Sequence, residues 1–127
     1  MTVLLACLST GKGTWNCVRG IINGASWDKV FLITNNFGKE NFKPQENVKL
    51  LVFDFSKPPH ILSDEIVAAL HNESLGAEVA INMSSGAGDE HMALLSAVLK
   101  LGVGIRLVFL KNNNVEELKL FNFSFDN

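Results

Sequence analysis

Two short segments combine hydroxyl side chains with glycines, a composition typical of loops that bind phosphate. They are Ser9-Thr-Gly-Lys-Gly-Thr14, the first loop, and Ser84-Ser-Gly-Ala-Gly88, the second loop. Each follows an apolar segment of strand length and precedes a segment of helix length, so its N–H groups are expected at the positive end of a helix dipole. Together with Lys12, these donors suit a phosphate or a phosphodiester. The alternative is a strand-to-helix turn whose glycines serve geometry alone.

The first loop fits no standard nucleotide-binding motif. Gly13 follows Lys12 where a P-loop requires Ser or Thr, and Asn16 stands where a dinucleotide fingerprint has its third glycine. The pattern G-x-S-x-G, which marks the nucleophile elbow of α/β hydrolases, does not occur in the sequence. The loop therefore predicts an anion site but indicates no cofactor, and none is expected.

Single residues near the two loops are candidates for ligand contacts, and each has a plainer alternative. Lys12 either neutralises a phosphate or is a solvated lysine, and Trp15 either stacks on a base or, as we expect, packs in the core. Asn82 ends a strand and is expected to brace the second loop. His91 lies in the first turn of a helix, where it either donates to a ligand or is solvated. Asn35 is a turn residue or a contact to a base.

The histidines and cysteines do not support metal or redox chemistry. His60, His71 and His91 are scattered and share no ligand spacing. Cys7 and Cys17 are too few for a structural zinc site, and we expect both to be small core hydrophobes rather than a disulfide. No metal site is expected.

Charge and composition limit the classes of partner. The 127 residues carry a net charge of -2 and contain 47% hydrophobic residues, which fits one domain, 1–127, with a substantial core. A chain with a pI near 5.9 is not expected to bind DNA or RNA in general. No apolar run reaches the length of a membrane span, and no basic region precedes the apolar N-terminal segment. We expect a cytoplasmic protein with no membrane contact.

Strand-length apolar runs alternate with helix-length segments, the pattern of βαβ units. Strands are predicted at 2–8, 29–34, 48–55, 78–82 and 104–110, and helices at 14–23, from Ser63 onward, and at 89–101. A polar loop is expected through Asn35, Asn36, Gly38 and Lys39. A turn at residues 112–114 then returns the chain as an antiparallel edge strand at 117–123. The fold class is α/β, a Rossmann-like, mainly parallel sheet flanked by helices with an antiparallel C-terminal edge hairpin.

The helix predicted at 89–101 is apolar on nearly all sides. Beyond its first turn, only Ser96 and Lys100 interrupt the apolar residues. A helix that is apolar all round is covered on two sides. The sheet covers one side, and either a partner subunit or another helix of the same chain covers the other. We favour a homodimer.

The segment 80–99 resembles the second signature of CARF domains, the CRISPR-associated Rossmann fold. In that signature, a hydrophobic strand ends in Asp or Asn, continues through a loop of the Thr/Ser-Gly-Gly-Thr type and enters an apolar helix near a Met. Asn82, Ser84, Gly86 and Met92 match the pattern. The first loop is similar to the family's first signature, a small hydroxyl-rich loop after the first strand, and the order of elements agrees over nearly the whole chain.

The resemblance implies a homodimer that binds cyclic oligoadenylate across its two-fold axis, because a two-fold symmetric ring suits an isologous dimer. Relatives that cleave the ring need no metal and place a ribose 2′-hydroxyl in line with the adjacent phosphate. By this resemblance the candidate catalytic residues are Ser9, Thr10 and Lys12, which would stabilise the scissile phosphate. The implied ligand-binding residues are Ser9, Thr10, Gly11, Lys12, Gly13, Asn35, Asn82, Ser84, Ser85, Gly86, Ala87, Gly88 and His91.

The second loop departs from the CARF pattern in one respect. The family often has Lys or Arg there, whereas this sequence has Gly88, Asp89 and Glu90 and one extra residue before Met92. Lys12 is then nearly the sole basic group of the pocket. Three hypotheses follow: a stand-alone CARF-like binding module for cyclic oligoadenylate, a metal-independent ring nuclease, and a generic Rossmann-like protein or enzyme subunit that binds a mononucleotide.

Overall fold

The computed structural model describes residues 1–118, which form a six-stranded sheet with helices on both faces. The strands are β1 (Val3–Cys7), β2 (Lys29–Thr34), β3 (Val48–Val52), β4 (Glu78–Asn82), β5 (Gly104–Lys111) and β6 (Asn114–Leu118). The helices are α1 (Trp15–Asn23), α2 (Asn36–Asn41), α3 (Pro59–Leu70) and α4 (Gly88–Leu101), and a 3₁₀ turn at Lys12–Thr14 precedes α1. The predicted α/β class, with a mainly parallel sheet, is confirmed.

The strand order is β3-β2-β1-β4-β5-β6, with β1 to β5 parallel and β6 antiparallel to β5. The chain builds outward from β1 in one direction and then from β4 in the other, so the order reverses between these two strands. In parallel sheets, that reversal opens a crevice beyond the carboxyl ends of the strands, where ligands bind. The first and second loops follow β1 and β4 and therefore flank this crevice.

The core lies on both faces of the sheet, and the central strand β1 is therefore buried throughout. Leu5 and Cys7 point towards the cluster under α3 and α4, whereas Leu4 and Ala6 point towards the cluster under α1. The β5–β6 turn has Asn112 and Asn113 at positive φ, 51° and 64°. This is the backbone conformation that two-residue hairpin turns require and that Asn tolerates.

The structure corrects four predicted boundaries. The polar loop predicted through residues 35–39 is instead the start of α2, with Asn35 as its N-cap accepting from the Gly38 N–H. Helix α3 begins at Pro59, whose fixed φ suits the first turn, so Ser63 is not the N-cap. Strand β3 ends at Val52 and β6 begins at Asn114. Residues 119–123 of the predicted edge strand lie outside the described part of the chain.

Helix α4 keeps an apolar face that no part of residues 1–118 covers. One face packs Leu94 and Val98 into the core, whereas Met92 and Leu99 on another are 58% and 68% exposed. A groove of about 650 Å³ runs between α4 and Pro59 and His60 of α3. Within the described chain, no helix combines the length and the apolar character needed to cross a bilayer.

Candidate functional site

The hydroxyl of Ser85 joins the first loop to the second. Ser85 is fully buried, and its Oγ accepts from the N–H of Ser9 (2.7 Å) and the hydroxyl of Thr14 (2.7 Å). The Ser85 hydroxyl itself donates to Oγ of Ser9 at 2.9 Å. One donor and two acceptor positions satisfy this hydroxyl fully. Ser85 therefore fixes the distance between the loops.

Three further hydrogen bonds position the backbone of the first loop. The buried hydroxyl of Thr34 donates to the carbonyl of Leu8 (2.9 Å), and the indole N–H of Trp15 donates to the carbonyl of Ser9 (2.9 Å). The side-chain amide of Asn35 donates to the hydroxyl oxygen of Thr10 at 2.8 Å. Trp15 is buried and therefore belongs to the core, as the sequence predicted.

The second loop is held by the residues on either side of it. The Asn82 amide, buried at the end of β4, donates to Ser84 Oγ (3.0 Å) and to the Val108 carbonyl (2.9 Å). His91 folds back so that Nε2 lies 2.8 Å from the carbonyl of Ser85. A carbonyl only accepts, so Nε2 carries the hydrogen. Gly86, at φ +99°, gives the backbone its turn, and a Cβ at this position would lie only 3.2 Å from the His91 ring.

The first loop retains free donors that face outward. Within residues 1–118, the N–H groups of Thr10 and Gly11 meet no protein acceptor. Lys12 is exposed and forms no ion pair with any described residue. Its Nζ lies 5.9 Å from the ring centre of Trp15 and 5.8 Å from that of Phe37. A cation and unpaired N–H groups therefore meet on this loop.

The second loop carries the opposite charge. Glu90 is 8% exposed, and its carboxylate accepts from the N–H of Ala87 at 3.3 Å, while Asp89 is exposed beside it. These carboxylates offset the positive end of the α4 dipole. An anion entering the crevice is therefore attracted to the first loop rather than to the second.

Cys7 is buried next to Gly86, since a Cβ built on Gly86 would lie 3.2 Å from Cβ of Cys7. Burial and, to a smaller extent, the Glu90 carboxylate raise the pKa of the Cys7 thiol from 9.0 to about 12. A thiol rather than a thiolate is then present. Cys7 and Cys17 are both free, and in the described part of the chain no three His, Cys, Asp or Glu side chains are placed to hold a metal ion.

A wide cleft adjoins the first loop on the side of α2. It has a volume of about 580 Å³ and lies beyond the carboxyl ends of β2 and β3, between Phe37 and the segment 53–57. Asn35 lines the cleft and also bonds Thr10, so the cleft and the first loop form one surface. Of this lining, the sequence pointed only to Asn35 and Asn36. A further signal in the sequence is Asp54-Phe-Ser56, an acidic turn directly after a strand of the parallel sheet.

The structure thus brings all the predicted site residues to one edge of the sheet, in two different situations. One group is committed within the protein, either by side-chain hydrogen bonds or, for the glycine, by the backbone turn: Ser9, Asn35, Asn82, Ser85, Gly86 and His91. Exposed at the crevice are Thr10, Gly11, Lys12, Gly13, Ser84, Ala87 and Gly88.

No known family model matches the sequence, and no curated protein matches it either. The likeness of the two loops to CARF signatures therefore remains a resemblance.

Proposed function

We propose that the protein binds a nucleotide with a phosphate on the first loop, and that the ligand is a cyclic oligoadenylate. The observation that carries the proposal is the first loop itself, where unpaired N–H groups of Thr10 and Gly11 and the unpaired amine of Lys12 meet at the reversal of strand order. The resemblance to CARF domains supplies the ring as the ligand.

Open space beside both loops supports this proposal. A Cβ on Gly13 or on Gly88 would meet no protein atom within 4 Å. Crowding within the protein therefore does not explain these glycines, whereas a ligand lying close against the backbone does. The acidic start of α4 favours a phosphate on the first loop and uncharged parts of the ligand on the second loop.

The uncovered apolar face of α4 favours a homodimer. Met92, one turn into the helix, and Leu99 lie on the rim of the groove between α3 and α4. A two-fold axis beside α4 would bury these side chains and bring the second loops of two subunits near each other. That arrangement suits a ring with its own two-fold symmetry.

Binding is favoured over cleavage, because Lys12 is the sole cation in the two loops. The oxygens of Ser9 and Thr10 accept from Ser85 and Asn35, so both side chains also serve to hold the loop in place. The transition state of phosphodiester cleavage carries growing negative charge, and a single cation offsets only part of it. The proposal is therefore a binding module, with ring cleavage as the rival outcome.

Lys12→Ala should weaken binding of cyclic tetra-adenylate by about 1–3 kcal/mol, the contribution of a charge-assisted hydrogen bond to phosphate. Titration calorimetry measures the affinity, and chromatography of the recovered ligand shows whether the ring is intact. The matched control is Lys29→Ala, because Lys29 begins β2 at the opposite edge of the sheet. Linear products without added metal would establish the ring nuclease instead. Absence of binding, or equal affinity for wild type and Lys12→Ala, would contradict the proposal.

The dimer is tested independently of the ligand. Sedimentation at tens of micromolar should give a dimer for the wild type and a monomer for Leu99→Glu, because a buried unpaired carboxylate is costly. Asn16→Glu adds the same charge on the exposed side of α1, beyond the other face of the sheet, and should remain dimeric. A monomeric wild type would contradict the proposal that the ligand pocket lies across a two-fold axis.

A further inference from the structure

The cleft beside the first loop has a chemistry different from that of the loop. Three charged side chains line it, and two of them, Lys57 and Glu65, form an ion pair at 2.6 Å. The carboxylate of Asp54 remains without a cationic partner within 4.0 Å among residues 1–118. The lining therefore repels phosphate, and the cleft suits an uncharged group that can donate hydrogen bonds.

Asp54 is held in place as an acceptor. Its Oδ1 accepts from the N–H of Ser56 (3.0 Å) and from the Ser56 hydroxyl (2.6 Å). These bonds hold the pKa of Asp54 below its ordinary value, so the group is ionised at neutral pH. Oδ2 receives no hydrogen bond from the described residues. A ligand hydroxyl or amine can donate to it, whereas a phosphate cannot.

The remaining walls of the cleft are partly apolar. Phe37 and Phe55 are half-buried, so each presents part of its ring to the cleft, and Val52 is 38% exposed. Aromatic and aliphatic walls suit the face of a nucleobase. Lys12, whose Nζ is 5.8 Å from the Phe37 ring centre, marks the border between this cleft and the phosphate site.

We propose that the cleft binds the ribonucleoside part of a ligand whose phosphate lies on the first loop, with Asp54 accepting a hydrogen bond from a ribose hydroxyl. The position of the phosphate rests on the function proposed above, whereas the nucleoside contacts depend on the cleft alone. The cleft thus adds a preference for ribose over deoxyribose, because the 2′-hydroxyl, which stays free in a 3′,5′-linked ring, can donate to Oδ2 of Asp54, and deoxyribose lacks it.

Adenosine, which has no phosphate, is the probe for this site. In amide chemical-shift titrations, millimolar adenosine should shift the signals of residues 53–57 and of Phe37. Asp54→Asn should weaken adenosine binding about tenfold, the effect of losing a hydrogen bond to a charged acceptor. The amide oxygen of Asn can still accept from Ser56, so the turn is retained. Asp28→Asn is the matched control, because Asp28 also accepts from one backbone N–H and one hydroxyl, both of Thr2, but lies at the opposite edge of the sheet.

A second ligand separates this inference from the proposed function. Inorganic phosphate should shift the amide signals of residues 10–13 and leave the amide signals of residues 53–57 unchanged. Failure of phosphate alone would count against the phosphate site, not against the cleft. The inference is overturned if adenosine does not shift residues 53–57, if Asp54→Asn binds adenosine as tightly as the wild type, or if 2′,3′-dideoxyadenosine binds as tightly as adenosine.

Discussion

Replacing Ser85 with Ala should lower the free energy of unfolding by about 2–4 kcal/mol, an effect large for the loss of one oxygen atom. The Ser85 hydroxyl makes three hydrogen bonds of 2.7–2.9 Å in a fully buried position. Its removal takes away the acceptor that lies 2.7 Å from both the Ser9 N–H and the Thr14 hydroxyl. An unsatisfied donor costs more than the net value of one hydrogen bond. Urea denaturation measures the change.

The adjacent serine provides the control for this prediction. Ser84 is exposed, and its hydroxyl oxygen accepts from Asn82, whose amide also bonds the Val108 carbonyl. Ser84→Ala should therefore change stability by less than about 0.5 kcal/mol. Ser85→Ala should also weaken ligand binding, because the two loops lose their link. Equal stability of the two variants would show that Ser85 does not join the loops.

The fold could be predicted from the sequence because the strands are short apolar runs with clear ends. The runs that became β2 and β4 were predicted with their observed bounds, and Asn112 and Asn113 marked the hairpin. One of the failures came where a side-chain hydrogen bond decides the local backbone conformation. At Asn35, the side chain caps a six-residue helix that has little apolar periodicity, and a polar run of this kind is also typical of a loop.

The site was predictable in position but not in its internal bonding. Parallel topology places the ends of β1 and β4 together, so composition alone located both loops. The sequence cannot show which hydroxyl is buried: Ser84 and Ser85 are the same residue type, yet one is exposed and the other is buried against Ser9. The cleft at Asp54 was harder to locate from composition, because its walls come from α2, from the end of β3 with the segment after it, and from α3, and no glycine-rich loop identifies it.

Gly38→Ala should lower the free energy of unfolding by about 2–3 kcal/mol, although alanine normally stabilises a helix relative to glycine by about 0.5–1 kcal/mol. A Cβ at Gly38 would overlap Oγ1 of Thr34. Thr34 is fully buried and donates to the Leu8 carbonyl at 2.9 Å, so its hydroxyl cannot move without breaking that bond. Because Leu8 leads into the first loop, the variant should also bind ligand less tightly.

A double-mutant cycle isolates the overlap with Thr34. Thr34→Ala removes Oγ1, so Gly38→Ala should cost less than about 1 kcal/mol in that background, a coupling larger than independent sites show. Gly88→Ala is the matched glycine control, because a Cβ at Gly88 meets no atom within 4 Å. The stability of this variant should stay within about 0.5 kcal/mol of that of the wild type. If Gly38→Ala costs the same with and without the Thr34 hydroxyl, the packing of α2 against β2 does not position the first loop. In that case, the predicted coupling from Gly38 through Thr34 to Leu8 is wrong.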